Sequence, residues 1–125
     1  MFDLVIANGT VVTAETTGAA DLGITGGRIA ALGVGLQGAE TIDARGLLVL
    51  PGAVDEHVHL QMPVGEFCSS DDFATGTVAA AHGGTTTIID FAEPGPQQPL
   101  VDALLARRAE AKGKVEGRFE QIEQA

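Results

Sequence analysis

Two dipeptides set the grammar of the first half of the chain. Asn8-Gly9 stands between Leu4-Val5-Ile6 and Val11-Val12, and Gly26-Gly27 stands between Leu22-Gly23-Ile24 and Ile29-Ala30. A two-residue type I′ turn needs positive φ at both central positions, which Asn and Gly tolerate, so each dipeptide predicts a β-hairpin. The short runs around them, at 3–7, 10–13, 21–25, 28–32, 40–44 and 47–50, predict strands of an antiparallel sheet.

Pro51-Gly52 ends this pattern, and the order beyond it is strand (53–60), loop (61–68), helix (71–82), strand (85–91), Pro/Gly-rich loop (93–99) and helix (100–112). Such a βαβα order belongs to the α/β class. Ser69 and Asp72 fit a capping box at the first helix, Asp71 and Asp72 sit at the positive end of its dipole, and Gly83-Gly84 stop it. Phe73, Thr77, Ala80 and Ala81 form its predicted inner face. In the second helix Leu100, Leu104 and Leu105 share one side, while Arg107, Arg108 and Glu110 are expected to face water. From 113 to 125 the periodicity weakens, which predicts a separate tail. Two parallel strands and their helices cannot cover both faces of a parallel sheet, so the second half reads as unfinished by itself.

Charge and composition remove several classes of function. Seventeen Asp and Glu against seven Lys and Arg give a net charge of −10, which leaves nothing to neutralise a row of phosphates and disfavours nucleic acid and anionic membranes. Five of the basic residues (Arg107, Arg108, Lys112, Lys114 and Arg118) cluster late in the chain. The longest apolar runs, such as 47–50, are far too short to span a bilayer. A single cysteine cannot form an internal disulfide, and Met1-Phe2-Asp3-Leu4 lacks the start of a signal peptide, so the cytoplasm is the expected compartment.

Asp55-Glu56-His57-Val58-His59 carries the sharpest chemistry. Alternation along a strand sends residues 55, 57 and 59 to one face, so both imidazoles point the same way and can ligate one cation, with Asp55 fixing a ring tautomer from behind. Two polar histidines on a sheet face are the plainer reading, and two ligands do not complete a zinc site. Asp90, at the end of the strand at 85–91, is a second polar candidate because sites gather at the carboxyl ends of barrel strands. Other motifs read as structure. Gly33-Val34-Gly35-Leu36-Gln37-Gly38 matches G-x-G-x-x-G, but a strand follows it, so no helix N-terminus is available for a pyrophosphate and it is a turn. Asp71 and Asp72 read as capping residues, and Cys68 as an inert side chain without a base.

Taken together, Asp3-Leu-Val-Ile-Ala-Asn-Gly-Thr, Gly27-Arg-Ile-Ala-Ala-Leu-Gly, Val49-Leu-Pro-Gly-Ala-Val-Asp-Glu-His-Val-His-Leu-Gln-Met-Pro, Ser70-Asp-Asp-Phe-Ala-Thr-Gly-Thr and Gly83-Gly-Thr-Thr-Thr-Ile-Ile-Asp-Phe resemble the opening of a cyclic amidohydrolase of the dihydropyrimidinase and D-hydantoinase type, over residues 3 to about 110. The resemblance implies the start of a (β/α)₈ TIM-type barrel at 51–112, preceded at 1–50 by strands of a small composite β-sandwich. It implies two zinc ions in the complete enzyme, with His57 and His59 ligating the more buried one, and a substrate-pocket loop whose apolar members are Met62, Val64 and Phe67; Asp55 and Asp90 stand as supporting candidates on their strand positions alone. No catalytic acid or base is expected within this segment, because the bridging lysine and the remaining ligands lie on later strands. The implied substrate is a small cyclic amide, a dihydropyrimidine or hydantoin, and the implied assembly is a homo-oligomer, tetramer or dimer. Allantoinase or dihydroorotase activity, and a non-catalytic dihydropyrimidinase-like assembly protein, are the alternatives. Val64-Gly65-Glu66-Phe67 departs from the family's usual stretch after Met-Pro, which leaves the ring substituent open.

Overall fold

The computed structural model describes residues 1–115, and the chain divides into two compact units, Met1–Pro51 and Gly52–Ala125. The predicted tail falls mostly outside the described residues.

In the first unit, β1 (Phe2–Val12) is the central strand. On one side it pairs antiparallel with β2 (Thr17–Thr25), which pairs antiparallel with β3 (Arg28–Gly33). On the other side it pairs in parallel with β4 (Gly38–Asp43) along its first half and with β5 (Leu48–Val49) further on. The sheet is therefore mixed, not antiparallel throughout as the short strands suggested. Gly26 and Gly27 form the predicted tight turn, with φ of 58° and 73°. Asn8-Gly9 does not turn the chain. Asn8 takes φ 63° inside a continuous strand, and the register passes from Ile6 opposite Leu22 to Gly9 opposite Ala20, so Ala7 and Asn8 together oppose Asp21. This is a β-bulge, and the left-handed conformation that Asn grants to a type I′ turn serves it equally well. The hairpin from β1 to β2 comes later, at Thr13–Thr16, where the Thr13 hydroxyl accepts the amides of Glu15 and Thr16 at 3.2 and 3.0 Å.

Val5, Val11, Leu22 and Ala44 form the buried apolar set of this unit, joined by Asp21. Asp21 Oδ1 accepts the Asn8 amide at 2.9 Å, and its Oδ2 accepts the amides of Gly35 and Leu36 at 2.7 and 3.1 Å. One carboxylate thus ties the bulge to the glycine-rich turn between β3 and β4.

The second unit is built on two parallel strands, β6 (Ala53–Val58) and β9 (Thr85–Asp90). Between them come a small hairpin of β7 (Pro63–Val64) and β8 (Phe67–Cys68), then helix α1 (Phe73–His82); helix α2 (Leu100–Ala111) follows β9. The N-cap of α1 is Asp72, whose side chain accepts the Thr75 amide at 2.8 Å while the Thr75 hydroxyl accepts the Asp72 amide at 3.1 Å. The capping box thus runs from Asp72 to Thr75, one turn later than the predicted pair of Ser69 and Asp72. Ser69 instead ties the loop ahead of it, accepting the Met62 amide at 2.8 Å. Phe73 and Thr77 are buried as expected, but Ala81 is exposed. Leu60, Phe73 and Ala111 make the core cluster, with Val58, Ile88 and Val115 against it. Helix α1 comes unusually near Leu60, because a Cβ on Gly76 would stand 2.3 Å from Leu60 Cδ2.

Helix α2 departs furthest from expectation. Leu100 and Leu105 are exposed, whereas Ala103 and Ala111 are buried, and Arg107 turns inward. Among the described residues no helix is long and apolar enough to cross a membrane.

Candidate metal centre

β6 stops at Val58, two residues short of the predicted end, and its ladder with β9 is irregular between Asp55 and Val58. Within that irregularity the His57 amide donates to Asp55 Oδ1 at 3.2 Å, so Asp55 supports the backbone of the histidine and not its ring. His59 lies just beyond the strand. Simple alternation does not describe the segment, yet the two imidazoles meet: their Nε2 atoms are 3.1 Å apart and their planes are inclined at 64°.

Phe91, the residue after β9, lies against both rings, with centroids 4.6 Å from His57 and 4.9 Å from His59 and nearly parallel to the latter at 21°. The other nitrogen of His59, Nδ1, faces Glu93 Oε1 at 3.5 Å. Sequence reading placed Glu93 only at the edge of a loop; a carboxylate two residues beyond an aromatic strand end was the available signal.

Two Nε2 atoms at this distance can share at most one proton, and a carboxylate beside Nδ1 favours keeping the proton on that nitrogen, which frees Nε2 as a donor of electrons. Two nitrogens bound at about 2.05 Å to one tetrahedral zinc ion lie about 3.3 Å apart. The spacing and the neutral nitrogen donors therefore fit a zinc ion. Among the described residues no third His, Cys, Asp or Glu joins them to form a cluster able to hold a metal.

Asp90 meets neither ring through its hydrogen bonds. Its Oδ1 accepts the Leu60 amide at 3.1 Å and its Oδ2 accepts Arg107 Nε at 2.6 Å. Arg107 also donates to the Leu60 carbonyl oxygen and, at 2.9 Å, to Glu110, and its guanidinium carbon stands 4.4 Å above the Phe73 ring. The side chains of Arg107 and Asp90 are only 16% and 12% exposed. Arg107 was expected in water; it turns inward because the end of β6 leaves a carbonyl that needs a donor. Burial pulls its pKa down, but the hydrogen bonds of Asp90 and Glu110 outweigh that and hold it above its ordinary value.

A cavity of about 210 Å³ opens beside the histidines, lined in part by His59, Met62, Phe91, Glu93 and Arg107. Of the apolar loop trio only Met62 lines it. Val64 and Phe67 are exposed on the hairpin, Phe67 by 80%. Cys68 is exposed as well, and His82 closes the last turn of α1.

Comparison with known proteins gives these features a context. Residues 48–124 match the model of the amidohydrolase family, a stretch that contains both histidines, Asp90 and Arg107 and runs through the segment whose weak periodicity suggested a separate tail. The D-hydantoinase of Geobacillus stearothermophilus is 50% identical over 111 residues, covering 87% of this chain and 24% of that protein. The dihydropyrimidinase of Rattus norvegicus is 42% identical over 119 residues, covering 90% of this chain and 23% of that protein. A crystal structure of a D-hydantoinase superposes with a TM-score of 0.85 at 50% identity, covering 89% of this chain and 25% of that one. The chain thus spans about a quarter of the length of the curated relatives it matches. With the family's sequence running through the whole second unit and the paired histidines inside it, this chain belongs to the amidohydrolase family.

Proposed function

We propose that this chain forms the N-terminal part of a zinc-dependent enzyme that hydrolyses the cyclic amide bond of hydantoins or dihydropyrimidines. The observation that carries the reading is the 3.1 Å approach of His57 Nε2 and His59 Nε2 at the end of β6. The names of the relatives, D-hydantoinase and dihydropyrimidinase, support the substrate class. In this reading residues 51–112 begin a (β/α)₈ barrel, residues 1–50 contribute strands to a composite β-sandwich, and the complete enzyme is a cytoplasmic homo-oligomer.

His57 and His59 would hold the more buried of two zinc ions. Bound there, zinc supplies a Lewis acid for a carbonyl oxygen and a water of lowered pKa. The chain's own residues do the rest of this portion's work. Glu93 stands 3.5 Å from His59 Nδ1, on the side of the ring away from His57, and Asp55 holds the His57 amide while Asp90 supports the strand end. Phe91 fixes the planes of both rings and presents an apolar face to the cavity. Met62, which lines the cavity, borders the place where a ring substituent would lie, and the exposed hairpin of Val64 and Phe67 follows it in the chain.

The test joins this segment to the remaining three quarters of the Geobacillus stearothermophilus D-hydantoinase. The chimera is expected to hold zinc and to hydrolyse hydantoin and 5,6-dihydrouracil, and His57→Ala or His59→Ala is expected to weaken zinc binding by more than about 100-fold, beyond what loss of a supporting residue costs. A folded, zinc-loaded chimera inactive on a panel of cyclic amides overturns the activity. Turnover by the 125-residue chain alone overturns its assignment as one part of a site.

A further inference from the structure

From the geometry around Leu60 we infer that Asp90 and Arg107 act as a positioning pair for the metal-binding histidines, clamping the Leu60 backbone so that His59 is aimed at His57. The inference rests on the metal reading given above and names residues that act through it.

The β6–β9 ladder ends with Val58 opposite Asp90. Beyond that point no strand among the described residues pairs with the backbone of residues 59 and 60, and Gln61 swings into the left-handed region at φ 49°. At the one residue between His59 and this bend, side chains replace the ladder. The Leu60 N–H donates to Asp90 Oδ1 at 3.1 Å, the Leu60 carbonyl oxygen accepts from Arg107, and the two side chains are joined to each other at 2.6 Å. The N–H of Leu60 belongs to the peptide plane that starts at His59, so holding it fixes ψ of His59 and with it the direction of the His59 Cα–Cβ bond. The stacking of Arg107 over Phe73 at 4.4 Å sets the guanidinium plane. An ion pair this deeply withdrawn from water is no better for stability than well-packed apolar side chains of the same volume. A pair that also gives a donor and an acceptor to one peptide does what apolar side chains cannot. Lysine does not substitute for it, because only the planar fork of arginine reaches Asp90, Glu110 and the carbonyl at once.

The experiment uses the 125-residue chain, with Co²⁺ alone as the metal probe and the ring contact between His59 and Phe91 followed by NMR in metal-free protein. Asp90→Asn and Arg107→Met are expected to lose most of the ring contact and to weaken Co²⁺ binding about tenfold, the lower end of what loss of a supporting residue costs a metal site. Arg107→Lys is expected to fall in between. Glu110→Gln touches Arg107 but not Leu60 and is expected to leave both readouts unchanged. Should Arg107→Met fail to fold, Asp90→Asn and Arg107→Lys decide. Folded variants that keep the ring contact and bind Co²⁺ within twofold of the parent overturn the inference, as does a Leu60 amide that exchanges with solvent as fast as a free peptide in the unaltered chain. If the unaltered chain, which carries only two of the ligands, binds no Co²⁺ at His57 and His59, the ring contact in metal-free protein alone decides whether the clamp aims His59, and the chimera described above decides the metal reading.

Discussion

Asp21 and Asp90 hold backbone in the two units by different means. Asp21 is 7% exposed and accepts three backbone amides, those of Asn8, Gly35 and Leu36. Asp90 accepts a single amide, that of Leu60, and is paired with Arg107. The difference follows from what each sheet leaves unpaired. In the first unit a bulge and a turn leave N–H groups pointing at one spot, and amide dipoles alone hold the carboxylate. In the second, two strands end together and leave both an N–H and a C=O at Leu60, so the acid needs a cation that can also donate to the carbonyl. Backbone leftovers therefore decide whether an inward aspartate comes alone or with an arginine.

The largest effect is expected from Phe73→Ala. Phe73 is 3% exposed and packs under Arg107 as well as within the core of the second unit. Removing it should destabilise that unit by about 3–5 kcal/mol, read as lost amide protection in hydrogen exchange, while amides of β1 and β2 keep theirs. Equal loss of protection in both units would break the comparison, because it would mean that they unfold as one.

A smaller effect is expected at the bulge. Asn8→Ala places an ordinary side chain at φ 63°, which costs about 1 kcal/mol. Asn8→Gly keeps the backbone conformation and should cost less, so chemical denaturation of the two variants separates the conformational cost from the lost hydrogen bond of Asn8 Nδ2 to Asp43, 2.9 Å in length. Equal losses would assign the whole effect to that hydrogen bond.

What the sequence made legible was local. The turn at Gly26-Gly27, the strand and helix order past Pro51, and the fact that His57 and His59 lie close together all follow from patterns within a few residues. What stayed hidden needed a partner distant in sequence. Asn8-Gly9 has the chemistry of a hairpin, and only the length of β2 and the waiting carboxylate of Asp21 make it a bulge. Arg107 sits on what reads as the wet side of an amphipathic helix, and only the carbonyl of Leu60, 47 residues away, draws it inward. Glu93 and Phe91 join the histidines because β9 lies in parallel beside β6, a pairing that the strand patterns do not specify residue by residue. The convergence of the rings was expected from strand alternation, but His59 lies past the strand end and reaches His57 by another route.

The smallest effect lies at acid pH and tests the same contrast through protons. The carboxyl of Asp21 is held below the ordinary aspartate range chiefly by the Asn8 amide, then by that of Leu36, with burial opposing and Gly35 adding. A folded-state value below the unfolded one means that the folded protein binds this proton less tightly. The contribution of Asp21 is then fully present above about pH 4, the unfolded value, and fades as the pH falls through the lowered folded one. Asp43 follows the same sign, its foremost cause being the Asn8 side chain and the next the Arg45 amide. Denaturant midpoints of the first unit measured at falling pH should therefore drop, and Asp21→Asn should flatten part of that slope. Asn8→Ala keeps the amide that serves Asp21 but removes the donor that serves Asp43, so it should flatten the slope less. If both variants flatten it equally, the bulge has collapsed along with the side chain, and the left-handed conformation of Asn8 is what holds its backbone amide against Asp21.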